Sequence, residues 1–150
     1  RGQDAFDAKS YLRSLPFIDS NKIAVMGFSH GASSALWTLK ATQYSEKPFS
    51  AVISLYPLCF SNVFSECYAP ALVIIGEDDD WTPAATCEYE FSRRDINAPH
   101  DVTLEVLPCL THCFDCVGIR NYLGHHQNFN SEGREKALHL VKHFLQQHMR

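Results

Sequence analysis

Three short runs of apolar residues constrain the fold of this chain more than any other feature. They span residues 23–28, 51–56 and 71–75, and polar side chains hardly interrupt them. A strand that is apolar on both faces belongs inside a parallel sheet that helices cover. A fourth stretch, residues 102–106, alternates Val, Leu and Val with Thr and Glu, which is typical of a half-exposed edge strand. The runs therefore predict a parallel sheet of about four strands.

Helical patterns separate these runs. Apolar residues at steps of three and four predict helices. The predicted helices cover residues 5–15, 31–44, 83–94 and 132–148. Pro16 ends the first helix, because proline disfavours helical geometry in the residue before it, and Ser131 is the expected N-cap of the last one. Strand and helix thus alternate four times, which indicates one α/β domain over residues 1–150, with its chemistry at the carboxyl ends of the strands.

The composition argues against several classes of function. The 150 residues carry a formal net charge of −4, and 45% of them are hydrophobic. Nonspecific binding to nucleic acid or to an anionic membrane needs a basic surface, and no apolar run approaches the roughly 18 residues that span a bilayer. We therefore expect a soluble protein without nucleic-acid or membrane partners. The cytoplasm is slightly favoured over the periplasm or secretion, although the six cysteines leave the redox compartment open.

A G-x-S-x-G sequence follows the first apolar run directly. Its serine is Ser29, between Gly27 and Gly31, and a stretch of small residues comes after it. In a strand–turn–helix context this pattern is typical of a nucleophile elbow, in which a strained turn lifts the serine hydroxyl above the sheet. Both glycines are expected to avoid collisions with neighbouring backbone. The alternative is an ordinary turn with a helix-capping serine. The context favours Ser29 as nucleophile, with the backbone N–H of His30 as an oxyanion donor.

Consecutive acidic residues follow the third run. A serine nucleophile needs a base and an acid that orients this base, and in a fold with a nucleophile elbow the chain order is serine, acid, histidine. Residues 77–80 read Glu-Asp-Asp-Asp, and such neighbours repel one another unless some have a partner. Asp78, Asp79 and Asp80 are all candidates for the acid at this point. The alternative is a solvated acidic loop, or a Ca²⁺ site.

Position along the chain selects the base among eight histidines. His112 lies just beyond the predicted edge strand, at its carboxyl end. The other histidines adjoin the serine, precede that strand or lie on the last predicted helix; they are His30, His100, His139, His143 and His148. His125 and His126 lie in a predicted loop and remain open as alternatives. His112 is therefore the predicted base.

Cysteines surround this histidine. A C-x-x-H-C-x-x-C pattern consists of Cys109, His112, Cys113 and Cys116. These residue types suit a structural Zn²⁺ site, but zinc pairs normally come from segments a dozen or more residues apart. We therefore expect no metal here. Cys59 and Cys87 both follow predicted strands, so they could meet in a disulfide.

Four stretches resemble the dienelactone hydrolase family of α/β-hydrolases, in the family's order. They are KIAVMGFSHG (22–31), Tyr-Pro (56–57), IGEDDDWTPA (75–84) and HCFD (112–115). The family's G-x-x-D-x-x-x-P pattern falls on Gly76, Asp79 and Pro83, which implies that Asp79 is the acid. The resemblance implies an α/β-hydrolase fold and hydrolysis of a small-molecule carboxylic ester or lactone, through Ser29, Asp79 and His112 and an acyl-enzyme, without a cofactor.

The chain departs from the family in two ways. The namesake enzymes have a cysteine where this chain has Ser29, so a general carboxylesterase is as well supported as a dienelactone hydrolase. Relative to the family, the chain begins late, and we expect the N-terminal strands and the loop with a second oxyanion donor to be absent. Residues 23–28 would then form an exposed apolar edge, completed by a homo-oligomer or by a missing N-terminal segment. The alternative function is a catalytically impaired hydrolase fragment that acts as a binding or scaffold module.

Overall fold

A computed structural model describes residues 2–40 and 48–149, without the side chain of Ile119. Its helices are α1 (Gly2–Arg13), α2 (His30–Trp37), α3 (Ala84–Ser92) and α4 (Ser131–His148). Its strands are β1 (Ala24–Phe28), β2 (Ala51–Leu55), β3 (Ala71–Gly76), β4 (Val102–Leu107), β5 (Ile119–Tyr122) and β6 (His125–Asn128). No helix in these described ranges is long and apolar enough to cross a bilayer.

Four of the strands form one parallel sheet. Their order is β1-β2-β3-β4, with register pairs such as Ala24 with Ala51 and Ala71 with Val102. Every residue of β2 and β3 is buried, because helices cover both faces of these central strands. The predicted parallel sheet flanked by helices is confirmed, as is the placement of the alternating strand β4 at an edge.

Strand β1 forms the other edge of the described sheet. Its side chains Met26 and Phe28 are 43% and 46% exposed. The expected apolar edge is therefore present in the structure, and β1 pairs only with β2 among the described strands.

The connections differ from the prediction in two places. Residues 56–70, between β2 and β3, form turns, and no helix was predicted in this segment. The stated fourfold alternation of strand and helix was nevertheless wrong, because β2 leads to β3 without a helix between them. Prolines at both ends, Pro57 and Pro70, and the Cys59–Cys87 disulfide accompany this compact crossover. Helix α2 ends at Trp37, short of the predicted end, and residues 41–44 of that prediction lie outside the described residues.

The N-cap of α4 is Asn130 and not Ser131. The Asn130 side chain accepts a hydrogen bond of 2.8 Å from the backbone N–H of Gly133, while Ser131 is already the first helical residue. Asn130 has the extended backbone that an N-cap requires, and asparagine caps as well as serine does. The prediction was wrong by one position because two suitable caps adjoin in the sequence.

A β-hairpin follows the segment of His112. Strands β5 and β6 are antiparallel, and both turn residues have positive φ angles, Leu123 at 53° and Gly124 at 88°. This is the pattern of a two-residue hairpin turn. His125 and His126 therefore lie on a strand, and the predicted loop was wrong. The hairpin strands carry few apolar side chains, so no apolar run predicts them.

Candidate active site

Ser29 lies on a strained turn between β1 and α2. Its φ angle is 51°, in a region that side-chain-bearing residues seldom adopt. The backbone N–H of Ser29 donates to the carbonyl of Leu55 at 3.0 Å, and the carbonyl of Ser29 accepts from the N–H of Ser33 at 3.1 Å. These two bonds anchor the turn to β2 and to the first turn of α2.

Only one of the two flanking glycines is required for the reason we predicted. A Cβ at Gly27 would collide with the backbone carbonyl of Gly31, because α2 lies tight against the end of β1. A Cβ at Gly31 would have no neighbour within 4 Å. The predicted collision at Gly31 was therefore wrong, and the close approach depends on Gly27.

Side chains from three strand ends meet at this turn. The Nε2 atom of His112 lies 2.8 Å from Ser29 Oγ, and its Nδ1 atom lies 2.8 Å from Asp79 Oδ2. Asp79 follows β3 and His112 follows β4, and these residues are only 3% and 2% exposed. A continuous hydrogen-bonded line thus joins the serine hydroxyl to a buried carboxylate.

Asp79 differs from its acidic neighbours in its environment. Its Oδ1 atom accepts hydrogen bonds from the backbone N–H groups of Trp81, at 3.0 Å, and Thr82, at 2.8 Å. Asp78 and Asp80 are exposed, and Asp80 instead contacts His125 Nδ1 at 3.4 Å. Only Asp79 of the three candidate acids therefore reaches His112 in the structure.

Sequence reasoning missed the role of Thr82. Its Oγ1 atom lies 2.9 Å from Asp79 Oδ2, 3.2 Å from His112 Nδ1 and 3.2 Å from the carbonyl oxygen of Tyr56. The signal was present, because a threonine three residues after an aspartate often hydrogen-bonds locally. Thr82 ties the acid loop to the end of β2.

Tyr56 packs against the imidazole. Its ring centre lies 4.8 Å from that of His112, and its hydroxyl donates to Asp115 Oδ1 at 2.8 Å. Burial and, next, the hydrogen bond to Asp115 raise the pKa of Tyr56 well above its usual value. Tyr56 therefore presents a neutral side chain to the imidazole. Its φ angle of 44° turns the chain sharply where β2 ends.

A cavity of about 620 Å³ opens beside Ser29. Its wall is largely aromatic and apolar, and Trp37 and Phe60 stack there with ring centres 4.3 Å apart. The lining residues are Ser29, His30, Ser33, Trp37, Leu58, Phe60, Trp81 and Thr82. Ser33 Oγ exchanges two hydrogen bonds with the backbone of Leu58, at 3.0 and 3.1 Å, which holds the Leu58 loop against α2. Among the described residues, no Asp, Glu, Lys or Arg lines this cavity.

The β5–β6 hairpin reaches the rim of the site through Trp81. The Trp81 ring stacks on His125, with centres 4.7 Å apart, and lies 5.1 Å from the ring of His112. Tyr122 of β5 also contacts Trp81, at 5.7 Å. The hairpin thus packs on Trp81, which in turn packs on His112, a contact that was not predicted from the sequence.

The cysteines form two disulfides. Cys59 pairs with Cys87, which confirms that predicted pairing, and Cys113 pairs with Cys116, which was not predicted. The Nε2 atom of His112 contacts Ser29 and its Nδ1 atom contacts Asp79, so neither ring nitrogen is left for the zinc alternative. In the described part of the chain, the one group of close metal-ligand atoms is Cys113, Asp115 and Cys116, and the acidic residues 77–80 form none.

A family model covers nearly the whole chain. The model of the dienelactone hydrolase family matches residues 1–149. Among curated proteins, none has a matching sequence.

Solved structures share the fold at low sequence identity. A candidate dienelactone hydrolase from Klebsiella pneumoniae has a TM-score of 0.75 at 15% identity, over 97% of this chain and 60% of its own. A dienelactone hydrolase-like promiscuous phosphotriesterase from metagenomic libraries has a TM-score of 0.71 at 18% identity, over 99% and 62%. A thermophilic esterase from Thermogutta terrifontis has a TM-score of 0.70 at 17% identity, over 96% and 62%. The present chain thus spans about three fifths of their length.

Proposed function

Because the chain belongs to the dienelactone hydrolase family, we propose that it is a serine hydrolase of carboxylic esters or lactones. One observation carries this proposal: the hydrogen-bonded line from Ser29 Oγ through the imidazole of His112 to Asp79 Oδ2, with both steps at 2.8 Å. The order serine, acid, histidine is the one that this fold uses for nucleophilic catalysis.

In the proposed mechanism His112 activates Ser29. With the proton of the neutral imidazole on Nδ1, donated to Asp79 Oδ2, the Nε2 atom is left as an acceptor for the serine proton. Ser29 Oγ then attacks the acyl carbon, and Asp79 stabilises the imidazolium that forms. His112 returns this proton to the leaving alcohol. An acyl-enzyme results, which water hydrolyses by the same steps.

The acid is held for this role by three donors around it. Two backbone N–H groups occupy Asp79 Oδ1, which leaves Oδ2 for the imidazole. The hydroxyl of Thr82 lies near both Oδ2 and the carbonyl of Tyr56, so it fixes the rotation of the carboxylate. We therefore treat Thr82 as a positioning residue of the proposed triad.

The proposed oxyanion donor is the backbone N–H of His30. His30 is the first residue of α2, and the amino end of a helix carries partial positive charge. A negative charge that develops on the acyl oxygen beside Ser29 would be stabilised there.

The proposed substrate is a small, neutral ester or lactone. The aromatic and apolar walls of the cavity offer no charged side chain among the described residues, so an ionic substituent would lose its hydration without gaining a partner. The stacked rings of Trp37 and Phe60 would instead bury an apolar acyl or alcohol group.

Hydrolysis of p-nitrophenyl acetate tests this function. We expect activity in the unmodified protein and its loss in Ser29→Ala, while Ser92→Ala, which removes an exposed hydroxyl on α3, keeps it. An organophosphonate should label Ser29, as detected by mass spectrometry. A folded protein that is neither active nor labelled would contradict the proposal and favour the binding module instead. Light scattering on the same samples tests whether the exposed β1 edge supports a homo-oligomer.

A further inference from the structure

A second disulfide follows the proposed base by a single residue. Cys113 is bonded to Cys116, and both residues are only half-buried. The other disulfide is buried, since Cys59 is 7% and Cys87 0% exposed. Solvent and a reductant can thus reach Cys113–Cys116 far more readily, and the proposed hydrolysis uses neither sulfur.

This disulfide closes the turn that continues from His112. The N–H of Cys116 donates to the carbonyl of Cys113 at 2.8 Å, and Cys113 has a left-handed φ of 59°. A residue with a side chain keeps such a backbone only when its surroundings enforce it. Within the turn, Phe114 is fully buried, and its carbonyl accepts from the N–H of Asn130 at 2.8 Å. The covalent bond therefore helps to hold the backbone beside the base.

A second route connects the disulfide with the imidazole. Asp115 lies inside the four-residue ring and accepts the hydrogen bond of Tyr56. The Tyr56 ring packs edge-on against His112, with centres 4.8 Å apart, and against Phe114, at 5.6 Å. Opening of the Cys113–Cys116 disulfide ring would free Asp115. The packing of Tyr56 against the His112 imidazole would then loosen.

The two sulfurs differ in their electrostatic surroundings, although a carboxylate oxygen of Asp115 lies within 4.8 Å of both. The Nη2 atom of Arg120 lies 3.9 Å from Cys113 Sγ, while Asp115 Oδ1 lies 4.0 Å from Cys116 Sγ. The guanidinium beside Cys113 Sγ favours negative charge on that sulfur and offsets the carboxylate, which opposes negative charge on both sulfurs. Thiol–disulfide exchange is faster when the leaving sulfur is better stabilised as a thiolate. Cys113, beside Arg120, is therefore the better leaving group.

We propose that Cys113–Cys116 is a thiol–disulfide exchange site for a dithiol reductant, and that its reduction slows ester hydrolysis; this second part rests on the proposed function. A thiolate of the reductant attacks Cys116 Sγ, the S–S bond breaks, and its electron pair leaves on Cys113 Sγ, which takes up a proton. The second thiol of the reductant then attacks the mixed disulfide and releases the Cys116 thiol. Two electrons and two protons pass to the protein, and the reductant becomes a disulfide.

The expected effect on hydrolysis is a fall in kcat. A small displacement of a catalytic group costs large factors in rate, so a loosened His112 should lower kcat about tenfold. The cavity wall comes from α2, the Leu58–Phe60 loop and Trp81, so KM for p-nitrophenyl acetate should change little.

Thiol titration of the Cys109→Ser protein tests the exchange site and does not depend on ester hydrolysis. Cys109 is an exposed free thiol and Cys67 a buried one, so this variant has a low background. Graded dithiothreitol should produce two new thiols, mapped to Cys113 and Cys116 by mass spectrometry, before Cys59–Cys87 opens. Arg120→Gln should slow this step. If both disulfides open together, or if the buried one opens first, the exchange site is wrong.

Paired rate measurements test the coupling. Reduction should lower kcat about tenfold and reoxidation restore it, whereas the double variant Cys113→Ser/Cys116→Ser should have the reduced rate and ignore dithiothreitol. An unchanged kcat after two thiols have appeared would overturn the coupling. If no state hydrolyses esters, the proposed function has failed, and the imidazole proton resonances of His112 decide: they should shift on reduction, and an unchanged spectrum would refute the coupling.

Discussion

Substitution of Asp79 by asparagine should abolish catalysis while it preserves the fold. Asp79 Oδ1 accepts two backbone N–H groups, from Trp81 and Thr82. An asparagine must therefore place its carbonyl oxygen at this position, because its NH₂ group cannot accept these bonds. The NH₂ group then takes the place of Oδ2 and faces His112 Nδ1.

This exchange reverses the polarity of the imidazole. Facing an amide donor, His112 Nδ1 must accept, so the ring proton moves to Nε2, which faces Ser29 Oγ 2.8 Å away. The proposed base, His112, can then no longer accept the serine proton. A triad held in the wrong tautomer loses about 10⁴-fold in kcat, which corresponds to roughly 5 kcal/mol of transition-state stabilisation.

The assay is p-nitrophenyl acetate hydrolysis by Asp79→Asn beside two matched controls, Asp78→Asn and Asp80→Asn. These controls change exposed acids in the same loop, so kcat should stay within about twofold, as for most surface substitutions. Circular dichroism checks that all three proteins are folded. The reasoning is refuted if Asp79→Asn keeps more than a tenth of the activity, or if Asp80→Asn loses it instead.

Four further predictions follow from single contacts. Thr82→Val should lower kcat about tenfold, because a hydrogen bond to the acid is lost, whereas Thr86→Val on α3 should not; equal rates would exclude the positioning role. Gly27→Ala should cost roughly 3 kcal/mol of unfolding free energy by collision with Gly31, whereas Gly31→Ala should be neutral or stabilising in the same urea titration. Asn130→Ala should cost about 1 kcal/mol and Ser131→Ala under about half of this; the reverse order in thermal melting would restore Ser131 as the cap. Since the pKa of Tyr56 is raised in the folded state, its stabilising effect should be present below pH ~10 and lost as pH rises further, so Tyr56→Phe should unfold with a shallower alkaline dependence.

The sheet could be predicted from the sequence because buried strands consist almost entirely of apolar residues. Strands β2 and β3 are buried at every position, and short apolar runs rich in Val and Ile are typical of such strands. The β5–β6 hairpin carries no such signature, since its two strands read Ile-Arg-Asn-Tyr and His-His-Gln-Asn. Its turn and the contact of Trp81 with His125 are not visible in periodicity.

The proximity of Ser29, Asp79 and His112 was predictable for a different reason. Each follows a strand of one parallel sheet, and the carboxyl ends of such strands lie at the same edge, so order along the chain becomes closeness in space. The contacts of Tyr56, Thr82 and the Cys113–Cys116 turn follow no such rule. They depend on a positive φ at the end of β2, on one hydroxyl rotamer and on a local crosslink. The geometry of a sheet repeats from strand to strand, so a sequence pattern can predict it. The contacts that hold the proposed catalytic side chains in place each occur once, so no pattern predicts them. For this reason substitutions at Thr82 and Cys113 help to separate a working triad from a mere cluster: no role was predicted for Thr82, and Cys113 was considered only as a ligand of the zinc alternative.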